Sequence, residues 1–280
     1  MPESVINQVE LNVQNLDHMM KFYQNTLGFQ IIEQSEQKII LSADGKSALL
    51  SLVKKEGSHL NNPRSPGLYH TAFLLPRRSD LADITQYFIQ SQFPLQGASD
   101  HHVSEALYLS DPEGNGIEIY IDRPAEDWKW EGDQVYMTTQ AMDIEDVLKE
   151  TSEIGWRGMP AKTIIGHVHL QVANLDSTKK FYCEGLGFDP VLWYGRQALF
   201  VSKERYHHHI GLNTWNTAGI SISEENTTGL NWFSINLPNK ASMDKVIAQL
   251  EKINAPFSVE EGQLITTDPS GITIKLLVKE

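Results

Sequence analysis

The chain repeats itself. "NQVELNVQNLDHMMKFY" from Asn7 and "GHVHLQVANLDSTKKFY" from Gly166 are one pattern, 159 positions apart. No other feature restricts the fold as much, because each copy must form the same supersecondary unit and bury its apolar face against a neighbour. "VELNV" and "VHLQV" alternate with the period of a half-buried strand. Asn15-Leu16-Asp17 and Asn174-Leu175-Asp176 follow, with Asp as the expected helix N-cap. Apolar residues then recur at helical spacing through "MMKFYQNTLGF" and "TKKFYCEGLGF", and Gly28 and Gly187 fall where a helix end needs a left-handed residue. "KIILSA" and "ALLSLV" continue the first copy as strands, "ALFVS" and "HHIGLN" the second.

A fainter pair lies between. "GLYHTAFLLP" at Gly67 matches "GLNWFSINLP" at Gly229, each followed by a helical stretch. Both close on a strand after an Asp-Pro turn, "SDPEGNGIEIYI" and "TDPSGITIKLLV". The chain is thus four strand-helix-strand modules: 4–56, 67–124, 163–216 and 229–280. They group into a first domain, 4–124, and a second, 163–280, joined by a Trp-rich linker, 125–162, with a short helix near Asp143 to Glu150.

Length and charge agree. A chain of 280 residues can bury two ordinary cores. A net charge of -13 argues against nucleic acid, whose binding needs clustered Lys and Arg. No apolar run approaches the ~20 residues that span a bilayer, and no signal segment opens the chain, so a cytoplasmic protein without membrane attachment is expected. Cys183 is the sole cysteine, which excludes an intramolecular disulfide.

The "FY…LGF" helices and the closing "DPEGNGIEIY" resemble the vicinal oxygen chelate superfamily: glyoxalase I, bleomycin- and fosfomycin-resistance proteins, extradiol dioxygenases. "DHHVSEALYLSDPEGNGIEIY" and "YHHHIGLN" resemble, more narrowly, the catechol-2,3-dioxygenase-type proteins of Gram-positive bacteria. The resemblance implies an α+β fold: four βαβββ modules in tandem, forming two cupped, barrel-like mixed sheets with helices outside. It also implies a divalent metal inside a cup.

His18 and His59 lie among polar neighbours and read as surface residues. His70, in the apolar strand "GLYHTAFLL", and Glu118, in "NGIEIYI", are anomalies of one module, and a buried carboxylate is expensive unless paired or metal-bound. His167 stands where the extradiol family places a metal histidine; His169, two residues on, shares its face and reads as a supporting residue. Neither half holds two histidines and a carboxylate. In the second half Trp232 and Lys275 stand where the first has His70 and Glu118, and in the first Gln8 stands for His167. The set is complete only if modules 67–124 and 163–216 share one cup: His70, Glu118 and His167. Trp232 would then fill the empty cup. The competing set keeps Gln8 as first ligand with His70 and Glu118, since glyoxalase I uses a glutamine there.

The resemblance further implies roles for His208 as acid/base, and for His101 and Tyr108 as contacts to substrate or oxygen. His207 and His209, read as strand neighbours of His208, would face the other way. Trp193 and Tyr194 could line an aromatic pocket or pack in the core. Two histidines and one carboxylate suit Fe(II), with Mn, Zn or Ni able to replace it in a purified sample. The expected activity is extradiol cleavage of an aromatic diol by O₂, in aromatic catabolism. The alternatives are a glyoxalase-type lyase or isomerase, for which the expected second Glu is missing near Ser51 or Leu212, and a non-catalytic small-molecule binder. Sheet edges at the cup rims favour a homodimer.

Overall fold

A computed structural model describes residues 4–220 and 226–278. The first module runs β1 (Ile6–Val13), α1 (Leu16–Lys21), β2 (Gln30–Gln34), β3 (Lys38–Ser42) and β4 (Leu50–Lys54). The second runs β5 (Gly67–Leu74), α2 (Arg78–Gln90), β6 (Gly97–Asp100), β7 (Ser104–Ser110) and β8 (Gly116–Asp122). The linker holds β9 (Trp130–Glu131), β10 (Gln134–Val135), β11 (Gln140–Ala141) and α3 (Ile144–Leu148). The third module is β12 (Ile164–Gln171), α4 (Leu175–Lys179), β13 (Asp189–Tyr194), β14 (Ala198–Ser202) and β15 (Ile210–Asn213). The fourth is β16 (Gly229–Leu237), α5 (Lys240–Lys252), β17 (Phe257–Glu260), β18 (Gln263–Thr267) and β19 (Thr273–Val278). The fold is α+β, as the resemblance implied.

Two local expectations change. The helix caps are Asn15 and Asn174, whose side chains accept from the backbone N–H of His18 and Ser177; the aspartates sit two positions inside. Both helices also widen into a π-helical turn, Phe22–Thr26 and Lys180–Gly185.

Topology then sorts the modules. One eight-stranded sheet has the order β17-β18-β19-β16-β1-β4-β3-β2, the nine-stranded one β11-β6-β7-β8-β5-β12-β15-β14-β13. Each sheet therefore takes one module from each half of the chain. At its centre β12 pairs antiparallel with β5, setting His169 opposite His70 and His167 opposite Ala72. On its other side β5 runs parallel to β8, with Ala72 beside Glu118. Alternation does the rest: Phe73, Ile119 and Val168 face a core shared with Val9, Phe233 and Ile274 of the other sheet. Two tyrosines span the sheets, Tyr23 donating to Asp111 at 3.0 Å and Tyr182 to Asp268 at 3.3 Å. Each bond ties a helix of one sheet to an Asp-Pro turn of the other.

Candidate metal centre and its cavity

Polar residues collect on the face of the nine-stranded sheet turned away from the core. On β8 the period-two alternation puts Glu118, Tyr120 and Asp122 there together, and on β12 it puts His167, His169 and Gln171. Ala72 lies between β12 and β8, and its small side chain leaves room for His167 and Glu118 to meet. His167 Nε2–H donates to Glu118 Oε2 at 3.1 Å. His70 Nε2 is 2.9 Å from the same oxygen, but out of line, so that it is a buried nitrogen without a hydrogen-bond partner. One atom from each of the three lies within 4.8 Å of the others, and among the described residues no other such cluster of His, Cys, Asp or Glu occurs.

Burial pushes the Glu118 carboxyl up, but the facing His167 and His70 more than offset it and hold it well below the usual range. Burial draws His167 down to about 4, against the opposing pull of Glu118, so its imidazole is neutral at physiological pH. A carboxylate and neutral imidazoles are the forms that ligate a metal. The orphaned His70 nitrogen and the donor set together fit a divalent ion, with two nitrogens and one oxygen.

The three stand in the wall of a cavity of about 850 Å³, which His101, Tyr108, His169 and His208 also line. His101 Nε2 is 2.7 Å from the Tyr108 hydroxyl, and its Nδ1–H donates to Thr138 O at 2.7 Å. The linker thereby walls the cavity; β11 extends the sheet edge along β6. Asp100, next to His101, is held at 2.7 Å by Arg123 and turns the chain there. Burial keeps Tyr108 well above the ordinary phenol range, reinforced by Glu118, so the hydroxyl stays protonated. His208 packs its ring 4.1 Å from that of His167, and burial first, then the neighbouring histidines, hold it well below the usual imidazole range.

A sequence model of the glyoxalase/bleomycin resistance protein/dioxygenase superfamily matches residues 5–119 and 164–276. The chain belongs to this superfamily. The chain is 42% identical to the catechol-2,3-dioxygenase of Bacillus subtilis (strain 168) over 259 residues, 91% of this chain and 90% of that one. A solved protein of Bacillus subtilis subsp. subtilis strain 168 superimposes with TM-score 0.69 at 12% identity, covering 98% of this chain and 84% of that one. Glyoxalase I from Zea mays does so with TM-score 0.58 at 13% identity, covering 97% and 91%.

Within this superfamily fold, the competing ligand Gln8 is on the other sheet, where its side-chain amide donates to Ser51 Oγ at 2.7 Å. That second cup is filled by polar partners. Glu10 accepts from Trp232 Nε1 at 2.7 Å, from Asn231 at 2.8 Å and from Lys38 at 2.9 Å. Lys275 caps the Trp232 ring at 4.1 Å. Lys38 thus neutralises Glu10, and Trp232 and Asn231 complete its hydrogen bonds, in the cup where His70 and Glu118 have no counterpart.

The histidine run differs from its strand reading. β15 begins at Ile210, so His207–His209 lie in a bend. His209 turns away to Ser202 and Lys203, but His207 stays beside His208 with their Nδ1 atoms 2.8 Å apart. Tyr194 reaches the cavity, as do Tyr69 and Trp215; Trp193 instead packs under Lys179. Tyr69 sits at a register shift between β5 and β12, which lets it share a face with its neighbour His70. Asp122, Tyr120 and Tyr206 were not singled out in sequence, although the alternation that exposed Glu118 in "GIEIYID" marks Tyr120 and Asp122 too. The "GH" of β12 also gains a cause: a Cβ on Gly166 would lie 1.8 Å from the Tyr120 hydroxyl oxygen.

Proposed function

We propose that this chain is a metal-dependent extradiol dioxygenase that cleaves a catechol with O₂, with His70, Glu118 and His167 holding Fe(II). The observation that carries the reading is the buried two-histidine, one-carboxylate set beside His101, Tyr108 and His208 in one cavity. Fe(II) held by such a face keeps positions open for other ligands, acts as a Lewis acid that acidifies a hydroxyl, and supplies redox chemistry toward O₂.

The protein's own groups do the rest. His208, neutral at the cavity wall, accepts a catechol hydroxyl proton. Tyr108, kept protonated, gives its hydroxyl proton to His101 Nε2 at 2.7 Å, so its oxygen faces the cavity as an acceptor for a substrate hydroxyl. The aromatic wall of Tyr69, Phe200 and Trp215 excludes water and packs on a ring. The protein works as a soluble cytoplasmic enzyme of aromatic breakdown; no helix among the described residues is long and apolar enough to cross a membrane.

The test is anaerobic Fe(II) loading followed by oxygen uptake with catechol, for wild type and His167→Ala. Uptake with a yellow ring-fission product, lost in the variant, supports the assignment. Uptake that survives the substitution moves the metal away from His167. Consumption of a hemithioacetal without oxygen would favour a glyoxalase-type lyase, and ligand binding indifferent to metal would favour a binder.

A further inference from the structure

Behind His208 runs a chain of hydrogen bonds that no step above uses. His207 Nε2 is 2.8 Å from Asp122 Oδ1, and His207 Nδ1 is 2.8 Å from His208 Nδ1. Asp122 also accepts from the Tyr206 hydroxyl at 3.0 Å, and Tyr206 is 2.8 Å from the Tyr120 hydroxyl. His207 is fully buried, its ring edge-on to Trp128 at 5.1 Å, so no water competes for either nitrogen.

Donor and acceptor roles follow from one fixed point. A carboxylate only accepts, so His207 must carry its proton on Nε2. A neutral His207 then has a bare Nδ1, which accepts. The proton between the two rings therefore belongs to His208 Nδ1. We propose that Asp122, acting through His207, sets the tautomer of His208, so that His208 presents an unprotonated Nε2 to the cavity. Asp122 and His207 are positioning residues; without them either His208 tautomer would do, and the one protonated at Nε2 could not take a proton from a substrate.

The same chain handles the charge. When a substrate O–H breaks and its proton lands on His208 Nε2, the Nδ1 proton of His208 can pass to His207 Nδ1. His208 is neutral again, and the new imidazolium is His207, held against Asp122. The positive charge has moved from beside His167 to beside a carboxylate.

The inference rests on His208 being the base proposed above, yet its first test needs neither metal nor substrate. In metal-free protein labelled with ¹⁵N-histidine, long-range ¹H–¹⁵N correlation spectra report which nitrogen of each ring is protonated. The expected result is His208 protonated at Nδ1 and bare at Nε2, with His207 protonated at Nε2. In Asp122→Asn the two rings should become tautomer mixtures, and the Fe(II) enzyme should lose on the order of 10²-fold in kcat with KM unchanged. A wild-type His208 protonated at Nε2, or an Asp122→Asn spectrum identical to wild type, would overturn the proposal. The wild-type spectrum decides the first point even if the variant does not fold. The predicted tautomers in a protein that takes up no oxygen with any catechol would uphold this inference and sink the dioxygenase reading.

Discussion

At the scale of single residues, the site depends on what Ala72 is not. His167 and Glu118 come from strands on either side of it, and a larger side chain would stand between them. Ala72→Leu is therefore expected to abolish metal retention while far-ultraviolet circular dichroism stays native, at an overpacking cost of about 1–3 kcal/mol. Glu118→Gln should weaken Fe(II) binding by at least about 10²-fold, more than the loss of an outer hydrogen-bond partner does, as equilibrium dialysis would show. Proton competition follows from burial. His167 must be neutral to ligate, and burial draws it down to about 4, so proton competition at this ligand should leave metal affinity flat across neutral pH and weaken it only below about 4. A His167 ring that titrates near 6.5 in ¹⁵N spectra of the metal-free protein, the value of an exposed imidazole, would show that burial does not govern this ligand.

Strands and helices set a second group of consequences. β12 can approach β8 because Gly166 has no side chain; a Cβ there would lie 1.8 Å from the Tyr120 hydroxyl oxygen. Gly166→Ala should lower the melting temperature by several degrees and cut metal content, and adding Tyr120→Phe should recover part of both. Gly28 ends the first helical segment at φ +76°, and a Cβ on it would meet Gly158 Cα at 2.2 Å, where the linker crosses. Gly28→Ala combines left-handed strain of roughly 1–2 kcal/mol with displacement of the linker, so its loss of stability in urea should exceed that of strain alone. The helix caps carry a smaller lesson. Asn15 and Asn174 occupy the cap because the backbone there is still non-helical, whereas the aspartates already lie in the first turn, where a negative charge suits the helix dipole.

Across the whole molecule, the decisive fact is that neither half of the chain contains the site. The first half alone carries Gln8, His70 and Glu118, but lacks β12, the antiparallel partner of β5. Residues 1–124 expressed alone should show no tight metal binding by isothermal titration calorimetry, and tight binding there would restore Gln8 as a ligand. The core that both sheets share explains why the arrangement is stable: each sheet buries its apolar face on the other.

Much of the site is legible in the sequence. Period-two alternation in "GIEIYI" and "VHLQV", with a carboxylate and a histidine on the face opposite the apolar residues, marks the buried polar residues, and the repeat shows which positions correspond. Those are local properties, carried by side-chain direction along one strand. Other properties rest on contacts between segments distant in sequence: that β5 bonds to β12 rather than to β1, that the linker supplies the carbonyl behind His101, and that His207 turns back toward Asp122. Strand order, bends and hydrogen-bond partners are chosen by the packing of the whole chain, and a repeat in sequence is indifferent to which of its equivalent edges pair.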